Sequence, residues 1–255
     1  MQKIIRENLS KVPEITLAFW IIKIAATTLG ETGGDTVSMS MGLGYPIATL
    51  ILAIIFFIPV VAQIKAKTFH PFLYWTTIIA TTTVGTTLAD LLDRDLGIGY
   101  SGGTAILFTL LLGSLFIWYK SQGSVSVSTV SNPKSEMFYW ITIMFSQTLG
   151  TALGDYTDDP VGLGYPFIVG TLIFAALLVL IALAHYYTKI SKTFIFWTAF
   201  ILTRPLGASL GDFLDKPIAE GGLELSRYVA SGSIILLIVI CILIFPQQAS
   251  KSPKH

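Results

Sequence analysis

One stretch of seventeen residues occurs four times in this chain without a gap, and any fold must accommodate that repetition. The copies are Phe19–Asp35, Tyr74–Asp90, Tyr139–Asp155 and Phe196–Asp212. Each opens on an aromatic residue followed by Trp20, Trp75, Trp140 or Trp197. A Gly follows ten residues after each Trp (Gly30, Gly85, Gly150, Gly207), and an Asp fifteen after it (Asp35, Asp90, Asp155, Asp212).

The chemistry around these copies points to a bilayer. Of 255 residues 53% are hydrophobic and 12% charged, with a mean hydropathy of +0.72. Soluble domains carry roughly 25% charged residues. Apolar runs such as Pro46–Ala62, Thr104–Tyr119, Pro166–Tyr187 and Ile234–Phe245 reach or approach the ~20 residues that span a membrane. The predicted fold is all-α, one polytopic membrane domain over residues 1–255 with eight transmembrane helices. The spans are expected at Glu14–Gly33, Tyr45–Ile64, Pro71–Leu91, Gly102–Tyr119, Glu136–Leu153, Pro166–Tyr187, Thr193–Phe213 and Arg227–Phe245. They form four parallel two-helix repeats (14–66, 69–120, 135–190, 192–246), each a signature helix, an acidic turn and a more apolar returning helix. A Ser-rich linker, 121–134, separates two similar halves. Copies one and three share G-L-G-Y-P, and copies two and four share D-[LF]-L-D-[RK].

Eleven of the sixteen Lys and Arg fall at the termini or in the even-numbered loops, while the odd-numbered loops carry Asp93, Asp95, Asp158, Asp159, Asp215 and Glu220. The positive-inside rule then places both termini in the cytoplasm. No apolar core ending in a small-residue cleavage site precedes the first helix, which is read as retained. Each Trp falls at the cytoplasmic end of its helix, where an interfacial anchoring role is expected. The Thr-, Gly- and Ala-rich signature helices suit close packing in a central ring. The returning helices suit the lipid face.

Counting from each Trp, positions three, seven, eleven and fifteen share one helix face. That face reads Lys23, Thr27, Glu31, Asp35 in copy one and Ile78, Thr82, Thr86, Asp90 in copy two. It reads Ile143, Gln147, Thr151, Asp155 in copy three and Phe200, Arg204, Ala208, Asp212 in copy four. Ionisable groups inside a span cost roughly 2.5–3.5 kcal/mol each at the helix centre, so these must pair, face water or bind something. Two readings stay open for the Asp set, a helix-ending role and a ligand or proton pathway. Lys23 and Arg204 are candidate internal counter-ions, either neutralising the acids structurally or binding a small organic anion.

The candidate ion-binding set is Asp35, Asp90, Asp155, Asp212 and Glu31, with Thr27, Thr82, Thr86, Gln147 and Thr151. Carboxylate and hydroxyl oxygens are hard donors suited to Mg²⁺, Mn²⁺, Ca²⁺ or protons. The five carboxylates are the metal-ligand candidates, with the divalent ion as substrate; no resident cofactor is expected. The lone Cys241 lies in an apolar run and reads as a small buried hydrophobe. No phosphate-cradling G-x-x-x-x-G-K-[ST] loop, catalytic Ser–His–Asp set or H-E-x-x-H motif is present, so an enzyme is not expected. The expected partners are the lipid bilayer, a metal ion or small molecule, and a possible second copy of the chain, with no nucleic acid.

The four repeats, with W-x9-G-x4-[GA]-D and G-[LI]-G-Y, resemble a bacterial family of integral membrane proteins built from four tandem two-helix units. That family is catalogued as a repeat of unknown function and labelled membrane-anchored protein. The resemblance implies eight spans in the bacterial cytoplasmic (inner) membrane. Glu31–Thr36 (E-T-G-G-D-T) is also similar to the acidic motif of a Mn²⁺/Ca²⁺ exporter family, with one extra residue and without its basic one. The expected activity is secondary transport, export of a hard divalent cation such as Mn²⁺ by proton antiport. The alternatives are transport of a small organic anion on Lys23 and Arg204, and a non-transporting scaffold or sensor.

Overall fold

The computed structural model describes residues 10–250, all-α apart from one isolated bridge between Pro13 and Ala249. Four of the eleven Lys and Arg counted above for topology, Lys3, Arg6, Lys251 and Lys254, lie outside the described residues. The eight long helices are α1 (Leu17–Asp35), α2 (Gly44–Lys65), α3 (Pro71–Asp90), α4 (Tyr100–Gln122), α5 (Pro133–Asp158), α6 (Phe167–Tyr187), α7 (Lys192–Asp215) and α8 (Arg227–Ile244). Five of them, α2, α4, α6, α7 and α8, are long and apolar enough to cross a membrane, which marks the chain as a membrane protein.

Helices α1, α3, α5 and α7 carry the repeated stretch and pack side by side into a closed ring, α1 on α3, α3 on α5, α5 on α7 and α7 on α1. The repeated Gly makes the ring possible. A Cβ on Gly30 would collide with Thr82, on Gly85 would crowd Gln147, on Gly150 would collide with Arg204, and on Gly207 with Thr27. In every case the Gly of one copy admits the position-seven side chain of the next. Small residues at such contacts let helix backbones approach closely and gain van der Waals packing. Several threonines of these helices satisfy their hydroxyls on their own helix, as Thr77 does on the Leu73 carbonyl and Thr148 on that of Met144.

The outer helices do not pack chiefly on their own partners. Helix α2 lies against α3, α4 against α5, α6 against α7 and α8 against α1, so each returning helix covers the signature helix of the following copy. The Thr32 and Ser231 hydroxyls, 2.9 Å apart, join the first helix to the last.

Two expectations need correction. The Trp residues are not all interfacial anchors. Trp75, Trp140 and Trp197 are 1%, 3% and 4% exposed. They belong to a closed aromatic layer in which Phe19 meets Trp75 (5.4 Å between ring centres), Tyr74 meets Trp140 (5.8 Å), Tyr139 meets Trp197 (6.2 Å) and Phe196 meets Trp20 (5.9 Å). Such pairs contribute about 0.5–1.5 kcal/mol each beyond their buried area. Segment 10–13, linker residues 124–130 and segment 246–250 gather at this end. Ser10 donates to the Val127 carbonyl, Trp197 to the Val125 carbonyl and Trp75 to the Gln247 side chain.

The signature helices also do not end at their Asp. Helices α5 and α7 run three residues further, to Asp158 and Asp215, and α1 and α3 continue as single π-helical turns, Thr36–Ser40 and Leu91–Asp95. The π turns close through Met41 N–H to the Thr36 carbonyl and Leu96 N–H to that of Leu91, each 2.9 Å. Asp93, Asp158 and Asp215, expected in acidic loops, are therefore buried on helical backbone.

Candidate functional site

All sixteen residues of the predicted face are buried inside the ring, as four stacked layers. The layer nearest the aromatic end holds Lys23, Ile78, Ile143 and Phe200. The next holds Thr27, Thr82, Gln147 and Arg204. Above them come Glu31, Thr86, Thr151 and Ala208, and then Asp35, Asp90, Asp155 and Asp212.

Arg204 ties the middle layers together. Its Nη2, with two N–H groups to share, lies within hydrogen-bond distance of three oxygens, Glu31 Oε2 at 2.8 Å, Thr86 Oγ1 at 2.6 Å and Thr151 Oγ1. Those are three of the four side chains in the layer above it; the fourth is Ala208, on its own helix. A buried guanidinium without a carboxylate would be prohibitive, and Glu31 supplies one. Its Nε and Nη1 have no protein partner.

Lys23 is different. Its ammonium contacts Gln147 Oε1 at 3.4 Å and lies 4.2 Å over the Phe200 ring. Among the described residues it forms no ion pair, so the structure does not bring it to the acids as an internal counter-ion. Thr82 Oγ1 and Gln147 Nε2 beside it also lack partners. Thr27 closes the seam to α7, donating to the Thr203 carbonyl at 3.0 Å, and Thr86 closes that to α1, donating to the Gly30 carbonyl at 3.0 Å.

The outer acids do not form a single five-carboxylate ring. Glu31, Asp35 and Asp212 each place one oxygen within 4.8 Å of the others. Lys216 lies over this group, 2.7 Å from Asp35 Oδ2 and 3.1 Å from Asp212 Oδ1. Asp90 and Asp155 form a separate pair bridged by Arg94, 3.0 Å from Asp90 Oδ1 and 3.5 Å from Asp155 Oδ2. Lys216 is pushed down by burial, but Asp212, Asp35 and Asp215 outweigh this and hold its ammonium well above the usual lysine range.

Arg94 and Lys216 were missed as site residues, although the signal was present. They fall four residues beyond Asp90 and Asp212, the next step of the same face, within the shared D-[LF]-L-D-[RK]. Ending the helices near the Asp hid that step. Arg227 was missed too; it pairs with Asp215 at 3.0 Å and reaches Asp35 at 3.8 Å. Asp93 and Asp158 have no hydrogen-bond partners, and their carboxylates press against Gly103 and Gly170 on the outer helices.

The chain matches a family described as Repeat of Unknown Function (DUF347) in four consecutive segments, residues 18–69, 73–124, 138–191 and 195–248. The chain belongs to this family. Each matched segment covers most of one signature helix and all of the helix that follows it. The family's repeat is thus a unit of sequence whose two helices are pulled apart in space, the second lying on its successor. No curated protein and no solved structure matches the chain.

Proposed function

We propose that the protein is a secondary transporter that exchanges a hard divalent cation such as Mn²⁺ for protons through the ring of signature helices. The supporting observation is an excess of buried carboxylate. Eight acids, Glu31, Asp35, Asp90, Asp93, Asp155, Asp158, Asp212 and Asp215, are buried toward one end of the bundle, and four cations, Arg94, Arg204, Lys216 and Arg227, meet them. Unneutralised carboxylates in an apolar medium take up protons or bind a cation. Glu31, Asp35 and Asp212 offer three oxygens close enough for one ion to share. An arriving divalent ion displaces Lys216 from Asp35 and releases protons held by the acids. On departure Lys216 closes over the same oxygens. Arg204 fixes Glu31 throughout.

In this reading all eight helices span the bilayer. Helices α1, α3 and α5 have 19, 20 and 26 residues, which at 1.5 Å per residue reach about the ~30 Å hydrocarbon thickness. Their polar faces lower their hydropathy only because those faces line the ring. The four copies then relate by an approximate fourfold rotation, with the basic end and both termini in the cytoplasm.

A second observation favours a different cargo. Lys23, the Nε and Nη1 of Arg204 and the Nε2 of Gln147 are buried donors in excess of acceptors, which suits a small organic anion. Binding to the purified full chain separates the two. Titration with Mn²⁺ in weakly buffered detergent should release protons on binding. Glu31→Gln, Asp35→Asn and Asp212→Asn should each weaken binding tenfold or more, about 1.4 kcal/mol, and Lys23→Met should not. Proton-silent Mn²⁺ titrations, or Mn²⁺ affinity unaffected by the three carboxylate changes, would exclude the cation site.

A further inference from the structure

One cavity of ligand size lies outside the ring. A cleft of about 730 Å³ opens sideways between α1, α6 and α7. Its walls are apolar, from Ile24 on α1, Leu178 and Ala182 on α6, and Phe196 and Ala199 on α7. It deepens to Thr203, next to Arg204 in sequence, and its mouth lies at the basic end beside Lys192, His185, Ser126 and Ser128. The volume falls in the range of about 300–1,000 Å³ typical of small-molecule sites.

The cleft breaks the regularity of the aromatic layer. Trp20 lines it and is half-buried, whereas the other three signature Trp residues are buried. The counterpart recess around Leu115, Val125 and Trp197 holds only about 260 Å³, and there the linker carbonyl of Val125 accepts the Trp197 indole N–H. On its outer side, at the aromatic end, the junction of the last copy with the first is thus wider than this counterpart.

We propose that this cleft binds an anionic phospholipid, one acyl chain along the apolar walls and the phosphate at Lys192, His185 and the serine hydroxyls. The cleft opens on the side of the bundle, between helices whose outward residues are apolar, so the molecule that reaches it comes from the bilayer. An acyl chain matches the mostly apolar walls, where the Thr203 hydroxyl is already bonded to the Phe200 carbonyl. The mouth supplies what an anionic headgroup needs, a basic side chain and hydroxyl donors at membrane-surface level. A zwitterionic lipid could fill the trough but would gain less at Lys192.

Trp20 reports on the cleft. The full chain is placed in vesicles that mix ordinary lipid with a small fraction of phosphatidylglycerol or phosphatidylcholine brominated on the acyl chains, and tryptophan quenching is compared. Phosphatidylglycerol should occupy the cleft about fivefold better, the factor expected for one basic residue at an anionic surface. Trp20→Phe should remove most of the preferential quenching, and Lys192→Gln with His185→Gln should bring the two lipids level. Ala199→Leu, which narrows the cleft, should reduce quenching by either. Equal quenching by both lipids in the unaltered chain would overturn the proposal. So would a preference that survives Trp20→Phe or the paired Lys192 and His185 changes. None of these readouts depends on cation flux, so a failed transport assay leaves the lipid site standing and the converse also holds.

Discussion

At the scale of single residues, Arg204 does the most. One nitrogen on its guanidinium joins Glu31, Thr86 and Thr151, and so links all four signature helices at one level. Replacing it leaves Glu31 as a buried carboxylate without a cation. Arg204→Met should therefore lose about 3–5 kcal/mol of stability, seen as early unfolding in denaturant titrations in detergent. Adding Glu31→Gln should restore much of that loss, because the pair is then removed together. An additive double variant would mean that the contact carries no coupling. The choice of Glu31, on another helix, comes from the packing of the ring, but that Arg204 shares a face with acids was legible in the sequence. The isolation of Lys23 was not, because its neighbours, Gln147 and Phe200, come from other helices and follow from the packing of the ring.

At the scale of helices, the repeated Gly, the period-four polar face and the apolar returning helices were all readable, since each is a local property of one helix. What escaped was where the helices stop and which neighbour each one meets. The π turns at Thr36–Ser40 and Leu91–Asp95 extend α1 and α3 without any Pro or Gly to announce them, and so carry Arg94 onto the face that holds the acids. The pairing of α8 with α1 depends on contacts between residues about two hundred positions apart, which no local pattern encodes. It has a direct test. In a Cys241→Ser background, Thr32→Cys with Ser231→Cys should form a disulfide under mild oxidation, because the two hydroxyls lie 2.9 Å apart. Persistent free thiols under those conditions would contradict the packing of the last helix on the first.

At the scale of the whole molecule, an aromatic layer closes one end of a ring whose other end is rich in carboxylates, and the outer helices cover the ring from outside. The repeats made the ring foreseeable. The Trp layer was not, because an aromatic residue at a helix end is equally suited to a membrane interface and to a bundle core, and only the cyclic contact of each copy with the next decides between them. The division of labour between the two ends leads to the most direct measurement, ion flux in sealed proteoliposomes. With an imposed pH gradient, Mn²⁺ should accumulate on the acidic side and protons should move the opposite way. Asp35→Asn and Asp212→Asn should each abolish both movements, as expected when ligand carboxylates of a hard-cation site are neutralised. Mn²⁺ distribution indifferent to the pH gradient, or flux retained in both Asp variants, would contradict proton-coupled transport through the acidic layer.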